Sequence, residues 1–332
     1  KRPQVENISH ATEARYPLQN VDGLGAVEPA DVQAAAGRAV RRARTAGAQS
    51  VSLGVEILGS ARRQSAAALA QAQVEGAVLG LYRFLAWKAE QERPEVDQIT
   101  LLAAEKDVRR VQRAATQAQI VADGVCLARD LGNEPGNKAT PLHLAEIGRE
   151  LAHEHPTLTC EVLDEPTMRE LGMGALLGVG QASAEPSRMV ILTHRPSKAK
   201  GRPPTIAFVG KGVTFDTGGI SIKPSPKLED MKFDMCGGAA VLGAMQAIAQ
   251  LDLPVRVVGI VPAAENMPGG KAYKPGDILR ASNGTTIEIR NTDAEGRLLL
   301  ADALSYATNH LRPRPKAVVD IATLTGACMV AL

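Results

Sequence analysis

Apolar positions along the chain fall into short β-branched runs separated by longer helical patterns, which is the layout of an α/β fold. In the first third, Glu28-Pro29 opens a helix that runs to about Thr45 and stops before Gly47, because proline suits a first turn and glycine a helix end. Residues 50–57 read as a strand, the alanine-rich stretch 61–84 as a helix, and residues 98–103 as a second strand. A long helical pattern over 106–130 ends in the turn formers of 131–137. Two strands make a thin sheet for a domain of its own. The expected organisation is therefore an amino-terminal α/β domain over 1–112, a linking helix over 113–131 and a second α/β domain over 132–332.

Beyond the turn cluster the alternation is stronger. Apolar runs at 159–163, 189–193, 205–209, 255–261 and 317–321 are short, rich in β-branched residues and bounded by glycine, proline or polar residues. Such runs suit central parallel strands buried on both faces. Helical patterns at 237–251 and 296–309 lie between them, so a doubly wound, mostly parallel sheet is predicted, with its ligand beyond the carboxyl ends of the strands.

Composition narrows the class without changing this picture. A 332-residue chain with 45% apolar and 22% charged residues can bury two cores. Its net charge of +2 argues against a general nucleic-acid or acidic-lipid footprint. Arg38, Arg41, Arg42, Arg44, Arg62 and Arg63 are the local exception, to be read as a solvated helix face or as a basic interaction surface. Cys126, Cys160, Cys236 and Cys328 form no paired motif, which fits reduced thiols in a cytoplasm. No apolar run reaches the ~18 residues of a membrane-spanning helix, and no signal peptide opens the chain, so an intracellular protein is expected.

Candidate chemistry collects at the predicted strand ends. After the run 205–209 comes Gly210-Lys211-Gly212-Val213-Thr214-Phe215-Asp216-Thr217-Gly218-Gly219, read as a loop in which glycines permit tight turns and close ligand approach. Lys223 follows, and Asp234 stands at the threshold of the 237–251 helix, where it could also serve only as a cap. The strand-like 285–290 runs into Asn291-Thr292-Asp293-Ala294-Glu295-Gly296-Arg297, and an extended backbone would turn Asp293, Glu295 and Arg297 to one side. A solvated edge strand is the simpler reading, but Leu298, Leu299 and Leu300 announce burial. Lys211 lacks the surrounding pattern of a phosphate-binding loop. No serine-nucleophile elbow is present, and the histidines lie outside these segments, which disfavours a serine or cysteine hydrolase.

If Asp216, Asp234, Asp293 and Glu295 converge, Lys211 and Lys223 leave two negative charges uncompensated. Ionised carboxylates share a small pocket only when protons or cations join them. Two divalent metals about 3.5–4 Å apart would do so. This hard donor set admits zinc, manganese, magnesium or cobalt.

The segment Asn291-Thr292-Asp293-Ala294-Glu295-Gly296-Arg297-Leu298 resembles the signature of the leucyl aminopeptidase family, dinuclear metallopeptidases of the cytosolic type, and residues 209–224 resemble a second family motif. The similarity extends from about Ala128 to the end of the chain, with a weaker match at 80–84. The resemblance implies a macro-like amino-terminal domain and a catalytic domain in which Asp216 and Glu295 bridge two metals. Asp293 would complete one metal site, and Lys211 and Asp234 the other, with the Lys211 amine neutral. Lys223 would polarise the scissile carbonyl, and Arg297 would hold a bicarbonate that accepts the proton of the attacking water. Met231, Asn291, Thr323, Leu324 and Gly326 would line the substrate pocket, with a preference for Leu-like first residues.

The resemblance further implies peptide substrates, two divalent ions with manganese or zinc foremost, and a cytoplasmic homohexamer in the full-length protein. Family members continue beyond Leu332, so the catalytic domain is expected to be truncated there and the amino end incomplete. An inactive fragment and a DNA-binding regulator of the same family are the alternatives.

Overall fold

The computed structural model of the chain describes residues 4–10 (backbone only), 28–55, 64–89, 95–198 and 201–331. Arg62 and Arg63, the beginning of the helix expected from residue 61, the end of the strand expected to residue 57, and Leu332 lie outside the described residues. The chain divides into two compact units, Lys1–Cys126 and Leu127–Leu332.

In the first unit, β1 (Gln4–His10), α1 (Pro29–Thr45), β2 (Ser50–Gly54), α2 (Ala66–Leu81) and β3 (Gln98–Ala103) follow in order. The sheet has three strands rather than the two anticipated, in the order β1-β3-β2 and parallel throughout. α1 begins where Pro29 fits a first turn and Asp31 accepts a hydrogen bond from the Glu28 backbone N–H, and it buries Val32, Ala36 and Val40 on one stripe. β3 alternates, with Ile99, Leu101 and Ala103 buried. α1 and α2 touch at glycines: a Cβ on Gly76 would lie 2.1 Å from the Gln33 carbonyl oxygen. Arg38, Arg41 and Arg42 are exposed on α1, while Arg44 donates to the Leu81 carbonyl at 3.1 Å. Helix α3 (Val108–Asn133) contains the division between the units.

The second unit carries α4 (Pro141–Glu154), β4 (Leu158–Leu163), α5 (Glu165–Glu170), α6 (Gly174–Gly180), β5 (Arg188–His194), β6 (Thr205–Gly210), β7 (Gly212–Asp216), α7 (Cys236–Leu251), β8 (Arg256–Asn266), β9 (Ile278–Arg280), β10 (Thr286–Glu288), α8 (Gly296–Asn309), β11 (Ala317–Ile321) and α9 (Cys328–Ala331). The six-stranded sheet runs β11-β6-β8-β5-β4, with β7 also paired to β8. Of its strands, β5 alone runs against the rest: it is antiparallel to β4 and β8, and the remaining pairs are parallel.

The period-two alternation of β8 feeds two cores. Val258 and Ile260 pack with Leu176 and Val179 of α6 and Leu299 and Ala303 of α8 on one face. Val257 and Val261 pack with Leu144 of α4 and Leu242 and Met245 of α7 on the other. Helices thus cover both faces of a central strand buried along almost its whole length, as a doubly wound sheet requires.

Three local readings change. The stretch read as a glycine loop is mostly strand, because β7 extends alongside β8 directly after Lys211. The run 317–321, expected to be a buried central strand, is β11, which pairs with β6 alone among the described strands, and most of it is exposed. A β-branched run has the same composition at an edge and in a centre, so the pattern could not separate the two. The backbone from Asn291 to Glu295 is a turn that enters α8 rather than an extended strand, with Glu295 already helical at φ −67° and ψ −38°.

Candidate metal centre

Parallel strands end together, and the ionisable side chains collect at their carboxyl ends. Asp216 closes β7 opposite Asn266 at the close of β8, and Lys211 sits between β6 and β7. Loop 217–223 returns Lys223 to the same place. The turn before α8 brings Asp293 and Glu295, and the short 3-10 turn Leu228–Phe233 brings Asp234. Oxygen atoms of Asp216, Asp293 and Glu295 lie within 4.8 Å of one another, and Asp216 and Glu295 are buried.

Two lysines bind the cluster together. The Lys211 ammonium, itself buried, lies 2.8 Å from Glu295 Oε1, 2.8 and 2.7 Å from the two Asp234 oxygens, and 2.7 Å from the Thr323 carbonyl. Lys223 Nζ lies 2.7 Å from Asp216 Oδ2 and also pairs with Asp293 Oδ1. The four carboxylates are thereby joined through two cations. Asp234 is no helix cap: α7 starts without a side-chain cap, and Asp234 Oδ1 accepts from Lys211 and from the Thr323 hydroxyl at 2.8 Å. Glycine at the start of α8 keeps this packing open, because a Cβ on Gly296 would stand 2.8 Å from Lys211 Nζ.

Burial and charge pull the titrating groups in opposite directions. Burial pushes the Asp234 carboxyl up to about 7 against the pull of Lys211, and the neighbouring Glu295 adds to the rise. Burial works against the Lys223 charge, yet hydrogen bonds to Asp216 and Asp293 outweigh it and hold the ammonium above its usual range. Burial, then Glu295, Asp216 and Asp293, raise the Tyr273 phenol, which stays protonated and donates to the Thr292 carbonyl at 2.7 Å.

The donor set fits divalent cations. It consists of hard carboxylate oxygens, it carries more negative than positive groups, and Glu295 Oε2 is buried without a hydrogen-bond partner.

The other anticipated site residues spread around this centre. Thr323 touches it directly, whereas Met231 is half-buried in the 3-10 turn and Asn291 is exposed, its side chain accepting from the Asp293 N–H at 2.8 Å. Leu324 and Gly326 lie in the exposed segment after β11. Arg297 is exposed in the first turn of α8.

Residues not anticipated from the sequence bind the segments together. Thr292 Oγ1 donates to the Gly218 carbonyl at 2.6 Å and accepts from the Ser221 N–H at 2.8 Å. Asn266 donates to Asp216 Oδ1 at 2.8 Å and to the Thr292 carbonyl at 3.0 Å. The position of Thr292 inside the 291–297 motif was a usable signal. Asn266 had none, because its role depends on the register between β7 and β8.

A doubly wound α/β domain with a carboxylate–lysine cluster beyond its strand ends belongs to the class of folds that bind ligands at the carboxyl ends of their strands. Comparison with known proteins narrows the class. The model of the cytosol aminopeptidase family, catalytic domain, matches residues 126–332, and the chain belongs to that family. A Geobacter protein named as a probable cytosol aminopeptidase is 47% identical over 300 residues, covering 90% of this chain and 59% of the relative. The cytosol aminopeptidase of Pseudomonas aeruginosa is 48% identical over 270 residues, covering 81% and 54%.

Among solved structures, the bottromycin maturation enzyme BotP in complex with Mn superposes with a TM-score of 0.83 at 42% identity, covering 92% of this chain and 63% of that one. A mutant of tomato leucine aminopeptidase gives 0.82 at 35% identity, covering 92% and 58%. The chain thus spans little more than half the length of the curated relatives it matches.

Proposed function

We propose that this chain carries the catalytic centre of a metal-dependent aminopeptidase that releases amino-terminal residues, Leu-like ones preferentially, from peptides. The observation that supports it most directly is the convergence of Asp216, Asp293 and Glu295 within 4.8 Å, joined through lysine to Asp234. In this reading Asp216 and Glu295 would each help to hold both of two divalent ions, manganese or zinc foremost. Asp293 would complete one site, and Lys211 with Asp234 the other.

When bound, the ions supply Lewis acidity and make a water nucleophilic near neutral pH. Lys223 stays charged and stabilises negative charge developing on the scissile carbonyl oxygen. Arg297, permanently protonated, holds a bicarbonate-type proton acceptor. Met231, Asn291, Thr323, Leu324 and Gly326 position the substrate. A cytoplasmic homohexamer belongs to the same reading, and sedimentation analysis would test the assembly.

The experiment is leucyl-amide hydrolysis after dialysis against a chelator and again after adding back each divalent metal. Activity should disappear and return. Undiminished activity in strictly metal-free protein would refute the proposal.

A further inference from the structure

We propose that Asn266 is a positioning residue of the carboxylate cluster: one buried amide holds Asp216 and the turn carrying Asp293 and Glu295 in the mutual placement that a pair of divalent ions needs. The inference rests on the metal-centre reading above and deepens it.

Asn266 is fully buried at the end of β8, in register with Asp216. Its two amide protons serve acceptors from different segments, Asp216 Oδ1 and the carbonyl of Thr292, the residue preceding Asp293. Turning the amide over would set its oxygen against both acceptors, so the network itself assigns the orientation. The consequence is that Asn266 Oδ1 is buried with no hydrogen-bond partner. Packing alone does not account for this, since a small apolar side chain would fill the position without an orphaned acceptor.

The effect on Asp216 is directional. Oδ1 accepts from the Gly218 N–H at 2.9 Å as well as from Asn266, which leaves Oδ2, 2.7 Å from Lys223 Nζ, as the oxygen turned to the cluster. Hydrogen bonds to one oxygen of a ligating carboxylate fix its orientation and tune its basicity. On the other side, the Thr292 carbonyl receives both Asn266 and the Tyr273 hydroxyl, which pins the turn from which Asp293 and Glu295 project.

The test is Mn2+ binding by titration calorimetry on chelator-stripped wild type, Asn266→Ala and Asn266→Ser. Circular dichroism and the metal-free melting temperature report folding, and leucyl-amide kcat and KM are measured alongside. Asn266→Ala should weaken Mn2+ binding by about ten- to a hundredfold and lower kcat more than KM. Asn266→Ser, whose hydroxyl can serve one of the two acceptors, should fall between Asn266→Ala and wild type.

Unchanged Mn2+ affinity in folded Asn266→Ala, whatever its melting temperature, would overturn the proposal and leave Asn266 a packing residue. Should that variant not fold, Asn266→Ser decides by the same criterion. Wild-type protein that takes up no Mn2+ would overturn the metal-centre reading itself, a result separate from a variant that merely matches wild type.

Discussion

Lys223 and Lys211 are the same residue type in the same acidic neighbourhood, yet their surroundings separate their parts. Lys223 is half-buried and paired with Asp216 and Asp293, which stabilise its charge. We expect Lys223→Ala to reduce turnover by about 10²–10³ while the Mn2+ content of the protein stays at the wild-type level, as for loss of one oxyanion donor. Metal analysis beside the kinetics checks this, and parallel loss of both would assign Lys223 to metal retention instead.

Asp234 provides a pH prediction. Its folded-state value, about 7, lies above the unfolded value of 3.8 because burial disfavours the carboxylate. Proton uptake therefore favours the metal-free fold: this contribution is complete below the unfolded value and is lost as pH rises through about 7. With Asp234 in its proposed place as a metal ligand, Mn2+ would displace that proton, so its affinity should weaken as pH falls below the folded value. Titrations across that range test it, and a flat profile would contradict it. The carboxylates and lysines themselves were legible because their types and spacing stand out in polar, glycine-rich segments. Asn266 and Tyr273 were not, since neither lies in a motif and each acts through a partner distant in sequence.

At the scale of elements, close approach decides where α1 and α2 cross. The Cβ that Gly76→Ala would add meets the Gln33 backbone, which cannot yield as a side-chain tip could. The substitution should cost about 1–3 kcal/mol, read as a lower urea midpoint, and an unchanged midpoint would argue against this packing. Asp302 ties three elements of the second unit: fully buried on α8, it accepts from the Leu176 N–H of α6 at 2.8 Å and the Ser282 N–H beside β9 at 2.7 Å. Asp302→Ala orphans both donors and should destabilise by about 1–3 kcal/mol for each, again measured by urea unfolding.

Helix α1 was readable because proline, capping residues and apolar period agree with one another, and α8 and β3 were readable from their apolar patterns. β7 was not, because Gly-Lys-Gly signals a turn and only pairing with β8 makes the following residues a strand. α4 carried a signal in Thr140-Pro141, where the Thr140 hydroxyl accepts from the His143 N–H. The glycine-rich α6 carried almost none, and it is held by Asp302 and by the core of Leu176 and Val179.

For the molecule as a whole, ligand linkage links the centre to stability. Mn2+ at a hundredfold excess over its dissociation constant should stabilise the fold by about 2.7 kcal/mol, seen as a higher melting temperature that a chelator reverses. The absence of any shift would mean that the folded site holds no metal. By itself the sequence determined the α/β class, the doubly wound layers of the second unit and the acidic and basic residues of the centre, because alternating patterns and charged motifs are local properties of a chain.

Only the tertiary structure decided that β11 pairs with β6, that β5 is reversed and that one amide spans Asp216 and Thr292. Each of these depends on which strands become neighbours and in what register, and pairing between distant segments leaves no periodic trace in either one alone.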